Sequence, residues 1–268
     1  MSKILITLLI LTLTLIANEV NGGAKGSTSG YEVNGEAREN ALGYEADKII
    51  KKLDENMRGK NVSMEMTMKI VSMGHERTMK MQSFSEGTKK SFTKILYPPK
   101  DKGITFLSLN NQMWQYVPKI ERIIKIPPSM MLQNWMGSDI TNDDIVKQSS
   151  LIDDYDAKII KIYNSIVTIE LIPKENAAVV WGKIVTNIDT ITYTSIKDTF
   201  YDEDGEVVRY FLYDKVKKVG KYYTPTVWRV ESADKKNKYT EIILQDIKYD
   251  TDISKEYFKK SALKRFSR

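Results

Sequence analysis

The sequence offers little material for nucleophilic catalysis. It contains no cysteine and a single histidine, His75. A thiol nucleophile is therefore excluded, and a Ser-His-Asp arrangement would depend on His75 alone. His75 lies between Gly74 and Glu76 in a predicted turn between two strands, which is typical of a solvated surface position. These features favour a protein that is not an enzyme.

Acidic residues cluster in one stretch and could bind Ca²⁺ through carboxylate oxygens. They are Asp139, Asp143, Asp144, Asp153, Asp154 and Asp156. The stretch lacks the spaced Asp, Asn and Gly pattern of a calcium loop, so helix capping and loop solvation are the favoured interpretation. There is no phosphate-binding glycine loop, and we predict no metal and no cofactor. Paired carboxylates for glycoside hydrolysis stay open, because any acidic chain supplies candidates.

Methionine placement is the most informative feature. Of the twelve methionines, all except the initiator fall within residues 57–136. Methionine is flexible and polarisable, and it is favoured where a surface must adapt to varied apolar partners. Those that alternate along two successive predicted strands are Met64, Met66, Met68, Met79 and Met81. A hydrocarbon-binding surface and a soft methionine-rich core would both give this pattern.

The energy of acyl-chain burial favours the first interpretation. Each acyl CH₂ group removed from water contributes roughly 0.8 kcal/mol, so a cavity that held half of a long chain would gain several kcal/mol without polar contacts. Large aromatic side chains are further candidates, either for sugar stacking or, more commonly in β proteins, for core or cavity lining. They are Trp114, Tyr116, Trp135, Trp181 and Trp228.

The elements that must position these side chains begin with one helix. Apolar residues repeat at helical spacing from Ala46 to Met57, and Gly59 is placed to end the helix. From Val62 the apolar period changes to two, which indicates successive antiparallel strands with one apolar face. The strands are predicted at about 62–71, 79–82, 91–97, 104–109, 112–117, 120–126, 157–163, 166–172, 179–188, 199–202, 207–213, 227–232 and 239–250. Residues 254–264 are predicted as a short helix or coil.

A different segment separates the two groups of strands at residues 127–152, and we call it the crossover segment. It opens with two prolines, is rich in Met and Trp, and closes with an acidic run. Thr141 or Asn142 is placed to cap a short helix that extends to about Ser149.

The N-terminal residues resemble an export signal. Residues 1–22 combine a short positive start, an apolar stretch and small residues, which predicts a cleavable signal peptide. Residues 23–43 are rich in Gly, Ser, Asn and Glu and are predicted to be flexible, and residues 44–268 are predicted to form a single domain. Because the chain has no cysteine that could carry a lipid anchor, the mature protein is expected to be free in its compartment.

The formal net charge is +6, and the densest basic stretch covers residues 255–268. An exported protein would not meet nucleic acid, so we predict no nucleic-acid partner. The basic stretch is either a solvated face or a surface that is attracted transiently to an anionic membrane.

Four motifs in a fixed order carry a family resemblance. They are LYPPKDKGITFL at 96–107, MWQYVP at 113–118, IPPSMM at 126–131 and WMGSDITNDD at 135–144. The chain resembles the bacterial outer membrane lipoprotein-sorting protein family, a branch of the LolA-like superfamily. The resemblance is looser at 223–229, 246–249 and 257–263, and it covers most of the mature chain.

The resemblance implies a mainly antiparallel, strongly curved, half-open β-barrel with helices closing the concave side. Its cavity would accept lipoprotein acyl chains or other lipids, and an RND/MMPL-type inner-membrane exporter is an implied partner. The residues expected to line the cavity are Met64, Met66, Met68, Met79, Met81, Trp114, Met131 and Trp135. The motif residues expected to be structural are Pro98, Pro99, Gly103, Pro127, Pro128, Gly137, Asp139, Asn142 and Asp144, the last three fixing the crossover segment.

The sequence therefore predicts a periplasmic carrier that binds lipid or lipoprotein acyl chains and passes them between envelope components. One alternative is a structural or adhesive envelope protein whose core is filled by its own side chains. A second is a hydrolase of envelope glycan or lipid, which would need a convergent nucleophile and base in the pocket.

Overall fold

The computed structural model describes residues 35–146, 151–177, 179–234 and 237–268. Its strands are β1 (Asn61–Ser72), β2 (His75–Glu86), β3 (Lys90–Tyr97), β4 (Thr105–Leu109), β5 (Gln112–Val117), β6 (Arg122–Ile126), β7 (Tyr155–Tyr163), β8 (Ile166–Pro173), β9 (Lys183–Asp189), β10 (Thr194–Tyr201), β11 (Val207–Val219), β12 (Tyr222–Ser232) and β13 (Lys238–Tyr249). Its helices are α1 (Gly35–Arg58), α2 (Asn142–Val146), α3 (Leu151–Asp154) and α4 (Lys260–Arg265).

All thirteen strands belong to one antiparallel sheet that is not closed. The order of neighbouring strands is β6-β5-β4-β3-β2-β1-β13-β12-β11-β10-β9-β8-β7. Consecutive strands pair with each other within the runs β1–β6 and β7–β13, and the pairing of β1 with β13 joins the two runs. The strands β6 and β7 are the two edges, so the predicted mainly antiparallel, half-open architecture is confirmed.

Helix α1 ends where the sequence predicts, because Gly59 adopts a left-handed conformation with φ of +56°. It begins at Gly35, earlier than the apolar repeat from Ala46 predicts, and so includes residues 35–43 of the segment that was expected to be flexible. The physical reason is that residues 36–41 are mostly good helix formers, whose propensity outweighs one interior glycine, Gly43. Residues 1–34, with the predicted signal peptide, lie outside the described residues. In the part of the chain that is described, no helix is long and apolar enough to cross a bilayer.

Strand alternation gives the sheet two faces, and helices pack on part of each. Met66, Met81 and Ile95 are register partners on β1, β2 and β3, and they lie on the face that we call the cavity face. Phe84 and Phe92 oppose each other on the other face, which we call the outer face. Helices α1, α2 and α3 pack on the cavity face, as predicted, whereas α4 packs on the outer face.

Three hydrophobic clusters hold these layers together. One lies between the cavity face and the crossover segment and contains Trp135 and Ile140. A second lies between α1 and strands β7–β9, where Ile50 and Ile169 are fully buried. The third lies between the outer face and α4, where Leu263 has no exposed surface. Two of the three clusters therefore border the space between the sheet and the helices of the cavity face.

Some strand boundaries differ from those predicted. Strand β9 begins at Lys183, not at residue 179, because the apolar run Val179–Trp181 lines the inside of the protein without pairing as a strand. Strand β11 continues beyond Tyr213 to Val219, and most of this extension is exposed. Strands β10 and β12 begin earlier than predicted, at Thr194 and Tyr222. The exposed extension of β11 has no apolar alternation that could mark it in the sequence.

The C-terminal residues are fastened to the turn after β3. The Oγ1 of Thr105 donates a hydrogen bond to the carbonyl of Leu263 at 2.7 Å, and the Oγ of Ser267 donates to the carbonyl of Gly103 at 2.7 Å. Gly103 has a φ of +84°, and a Cβ atom added there would lie 2.6 Å from the carbonyl oxygen of Ser267. Only glycine therefore fits this position without a shift of the backbone.

Replacing Gly103 by alanine is expected to lower the free energy of unfolding by about 1–3 kcal/mol, because strain and a backbone clash add together. Urea unfolding measures the loss. Gly87→Ala is the matched control, since Gly87 also has a positive φ of +58° but has open space around it. It should lose about 1 kcal/mol from the conformation alone. Equal losses in the two variants would contradict the role of the contact with Ser267.

Candidate functional site

An apolar cavity of about 350 Å³ lies between the cavity face of the sheet, α1, α3 and the crossover segment. Strands β1 and β2 line it with Val62, Met64, Met66, Met68 and Met81. Strands β10, β11 and β12 line it with Phe200, Phe211, Tyr213 and Trp228. Helix α1 adds Leu53 and Met57, and the crossover segment adds Trp135, Ile140 and Ile145. The arrangement is suited to an elongated apolar guest that makes contacts on all sides.

The structure brings five of the eight predicted lining residues to the cavity. They are Met64, Met66, Met68, Met81 and Trp135. Met79 is fully buried in the adjacent core cluster, and Met131 packs against that cluster from the crossover segment. Neither of these two side chains lines the cavity.

Trp114 is a correction to the prediction, because it lies on the outer face. It packs in the same cluster as Leu263 of α4. Along β5 the alternation instead places Met113 in the core cluster of the cavity face. Since α4 covers the outer face, both faces of β5 are apolar, and the sequence alone does not tell which face is which.

A row of aromatic rings forms the wall that sequence reasoning mostly missed. It runs through Trp181, Phe200, Phe211, Tyr213 and Trp228, with successive ring centroids 5.1–6.2 Å apart. The two tryptophans were candidates for lining, but the other three rings were not. The signal was the alternation of Arg209, Phe211 and Tyr213 along β11, which is weak because the intervening Tyr210 and Leu212 are also largely apolar.

A buried ion pair joins the crossover segment to the sheet. Arg209 is 4% exposed, and its Nη1 and Nη2 donate to the two carboxylate oxygens of Asp144 at 2.6 and 2.5 Å. The guanidinium carbon also lies 4.3 Å from the ring centroid of Trp181 and 4.7 Å from that of Phe200. Asp144 in addition accepts hydrogen bonds from the backbone N and the Oγ1 of Thr141, both at 2.8 Å. One carboxylate thus caps α2, as expected for the predicted Thr141 cap, and attaches it to β11.

Further polar contacts hold the crossover segment in place. Asp139 accepts a hydrogen bond from the Oγ1 of Thr240 at 2.8 Å, and its Oδ1 lies 2.9 Å from the Nζ of Lys238. Asn142 donates from its Nδ2 to the carbonyl of Met130 at 2.9 Å. The segment is therefore held by both polar and apolar contacts.

The remaining motif residues shape turns. Pro98 follows a cis peptide bond, and its carbonyl accepts from two backbone N–H groups of the turn that Pro99 continues. The carbonyls of Pro127 and Pro128 accept from the next residues of the crossover segment, and Gly137 has a φ of +75°. None of these residues lines the cavity.

One carboxyl group stands in the apolar wall. The Oδ1 of Asp198 accepts from the Oγ1 of Thr186 at 2.6 Å, and its Oδ2 accepts from the hydroxyl of Tyr213 at 2.8 Å. Burial raises the pKa of Asp198 above its ordinary value, and these hydrogen bonds only partly offset the effect. Burial, together with the neighbouring Asp198, also raises the pKa of Tyr213 well above its usual range. Asp198 is nevertheless only partly buried by accessible surface area, because part of its side chain faces the cavity.

Replacing Asp198 by asparagine is expected to change the pH dependence of stability. Because the folded-state pKa is raised, the stability associated with the carboxyl is complete below about pH 4 and is lost as the pH rises through the folded-state value. Asparagine has no such loss, so Asp198→Asn should gain stability relative to the natural protein between pH 4 and pH 8. Urea unfolding of both proteins at pH 4 and at pH 8 measures this difference in stability. A difference that does not change with pH would contradict the burial of an uncompensated carboxyl.

Of the residues considered for catalysis and metal binding, only Asp143 and Asp144 line the cavity. His75 is exposed at the start of β2 and is not among the cavity residues. Within residues 35–146, 151–177, 179–234 and 237–268, no three His, Asp or Glu side chains converge on a point that could hold a metal ion. The acidic stretch instead supplies partners for Lys238 and Arg209.

The open thirteen-stranded sheet with an apolar cavity under its helices defines a LolA-like fold, and solved structures share it. The chain is similar to a DUF1329 family protein from Desulfovibrio piger, with a TM-score of 0.77, 22% identity, and coverage of 83% of this chain and 99% of that one. It is similar to a putative outer membrane lipoprotein-sorting protein domain from Vibrio parahaemolyticus, with a TM-score of 0.71, 21% identity, and coverage of 83% of this chain and 100% of that one. It is also similar to a LolA superfamily protein from Nitrosomonas europaea, with a TM-score of 0.68, 19% identity, and coverage of 81% of this chain and 98% of that one.

The family follows from the sequence. A family model that carries the description uncharacterized protein matches residues 87–265, which is more than half of the 268 residues. The chain therefore belongs to this DUF1329-like family. The resemblance to the lipoprotein-sorting branch of the LolA-like superfamily is confirmed, and at these identities the likeness to the solved structures establishes the fold. No curated protein matches the chain.

Proposed function

We propose that this protein is a carrier that binds the acyl chain of a lipid or lipoprotein and passes it between components of the bacterial envelope. The observation that carries the proposal is the apolar cavity of about 350 Å³ that lies between the sheet and its helices. Ligand cavities commonly measure about 300–1,000 Å³, and an engineered apolar cavity of about 150 Å³ is large enough to bind benzene. The volume is therefore sufficient for part of an acyl chain.

The lining supports a guest of variable shape. The methionine side chains of β1 and β2 are flexible, so they can follow chains of different length and unsaturation. The opposite wall is aromatic and rigid, and it gives the guest a large contact area. A methionine-rich core packed solid by its own side chains, as in the structural alternative, would leave no such volume.

The family resemblance supports a proposal for the setting of the carrier. We place it in the periplasm, where it would contact the membrane surface transiently through its basic C-terminal residues. The similar structures from Vibrio and Nitrosomonas, by their names a lipoprotein-sorting protein and a LolA superfamily protein, support a carrier role. An RND/MMPL-type exporter as the partner stays a prediction.

Extraction of bound lipid tests the proposal. The mature protein is purified from a bacterial membrane background, extracted with organic solvent and analysed by mass spectrometry, and uptake of a fluorescent fatty acid is measured in parallel. We expect acyl-containing molecules in the extract and saturable uptake. An extract free of lipid from a folded protein that also takes up no fatty acid would overturn the carrier function.

A further inference from the structure

We propose that Asp198 makes the cavity selective for amphiphiles whose polar end is a protonated amine. This inference rests on the proposed carrier function and deepens it, because it names the chemistry of the guest's polar end. Two independent features of the cavity wall carry it: the partners of the Asp198 carboxyl and the aromatic rings beside it.

The carboxyl of Asp198 has hydrogen-bond donors but no cationic partner. It lies on the cavity face of β10, with Thr186 of β9 and Phe211 of β11 as register partners. Its hydrogen-bond partners are hydroxyl groups, those of Thr186, Tyr213 and Ser195. Among the residues that the structure describes, no Lys or Arg forms an ion pair with it, since Arg209 is paired with Asp144. A guest ammonium group would supply the missing positive charge.

The rings next to Asp198 present faces that attract cations. Phe211 and Tyr213 have centroids 6.2 Å apart, and Trp228 follows Tyr213 at 5.8 Å. The same aromatic row already accommodates one cation, because the guanidinium carbon of Arg209 lies 4.3–5.0 Å from three of its ring centroids. An ammonium group beside Asp198 would meet a comparable aromatic environment.

Three single-chain amphiphiles of equal chain length separate the possibilities. Dodecylamine, dodecanoic acid and dodecanol share one hydrocarbon chain and differ in the charge of the polar end. Isothermal titration calorimetry at pH 7, below the micellar concentration of each probe, measures their affinities for the full-length mature protein. We expect dodecylammonium to bind at least about tenfold more tightly than the other two, as a desolvated cation–π and charge contact allows.

Two variants then assign the preference to one residue. Asp198→Asn should lower the affinity for dodecylammonium by about tenfold and leave that for dodecanol unchanged. Asp204→Asn is the matched control, because it makes the same change of charge in the exposed β10–β11 turn and should leave all three affinities unchanged. Circular dichroism establishes that each variant is folded, and the comparison of probes on the natural protein stands without any variant.

The outcomes distinguish this inference from the proposed function. If all three probes bind equally, or if folded Asp198→Asn keeps the preference for the amine, the inference is overturned and the carrier function stands. If dodecanol binds best, Asp198 acts as a neutral hydrogen-bonding group and the selectivity for amines is wrong. If none of the probes binds, the carrier function itself fails, and this inference fails with it.

Discussion

Replacing Arg209 by methionine is expected to lower the free energy of unfolding by about 3–5 kcal/mol, because it leaves the carboxylate of Asp144 buried without its charge partner. The guanidinium group is almost completely buried, makes two hydrogen bonds to that carboxylate and lies between aromatic rings. Methionine retains the apolar stem, so the loss reports mainly on the ion pair. Chemical denaturation followed by circular dichroism measures it.

Two companion variants make this prediction specific. Arg229→Met is the matched control, since Arg229 pairs with Glu231 on a partly exposed surface and should lose about 1 kcal/mol or less. The double variant Asp144→Asn/Arg209→Met should be more stable than the sum of the single effects predicts, because it contains no unpaired buried charge. Additive effects, or a loss at position 209 no larger than that at position 229, would show that the pair does not hold the crossover segment.

Replacing Met66 by aspartate is expected to weaken acyl-chain binding by about 100-fold or more. Met66 lies on β1 between Met81 and Leu244 of the neighbouring strands, and its side chain lines the cavity. A carboxylate there keeps water around itself and so displaces the guest. Loss of contact with three or four CH₂ groups, at roughly 0.8 kcal/mol each, gives the expected factor. Titration with a fluorescent fatty acid measures the affinity.

The control for this prediction is Thr67→Asp, on the same strand. The side chain of Thr67 lies on the opposite face of the sheet, where its Oγ1 donates to Gln245 at 3.1 Å. The Thr67→Asp substitution introduces the same charge one residue away. It should change the affinity for the fatty acid by no more than about twofold, because an exposed charge is screened by solvent. If folded Met66→Asp binds as tightly as the natural protein, this face of β1 does not contact the guest.

The elements with a strong apolar period could be predicted from the sequence. The second half of α1 and strands β1 and β2 have one, and their positions follow from the spacing of apolar residues such as Met64 and Met66. The crossover segment could be recognised by its prolines and by the Thr141 cap, which depend on local geometry alone. These features need no knowledge of which parts of the chain meet in space.

What could not be predicted depends on contacts between distant segments. The correct face for Trp114 required the position of α4, which packs 149 residues later along the chain around Leu263. The aromatic wall required the pairing of β10 with β11, and the environment of Asp198 required Thr186 from β9. In the sequence Asp198 is one acidic residue in a hydrophilic stretch, and only the register turns it towards an apolar interior.

The pairing of the first strand with the last one constrains how the protein reaches its native state. Val62 lies opposite Tyr249, so the seam in the middle of the sheet cannot form before nearly the whole polypeptide has been delivered. The runs β1–β6 and β7–β13 can each form from local hairpins. The pairing of β1 with β13 instead closes a loop of nearly the full chain, so it is expected to form late. Until β1 and β13 pair, both runs expose unpaired edge strands and apolar side chains. This partly folded state is therefore the one that is most prone to aggregation.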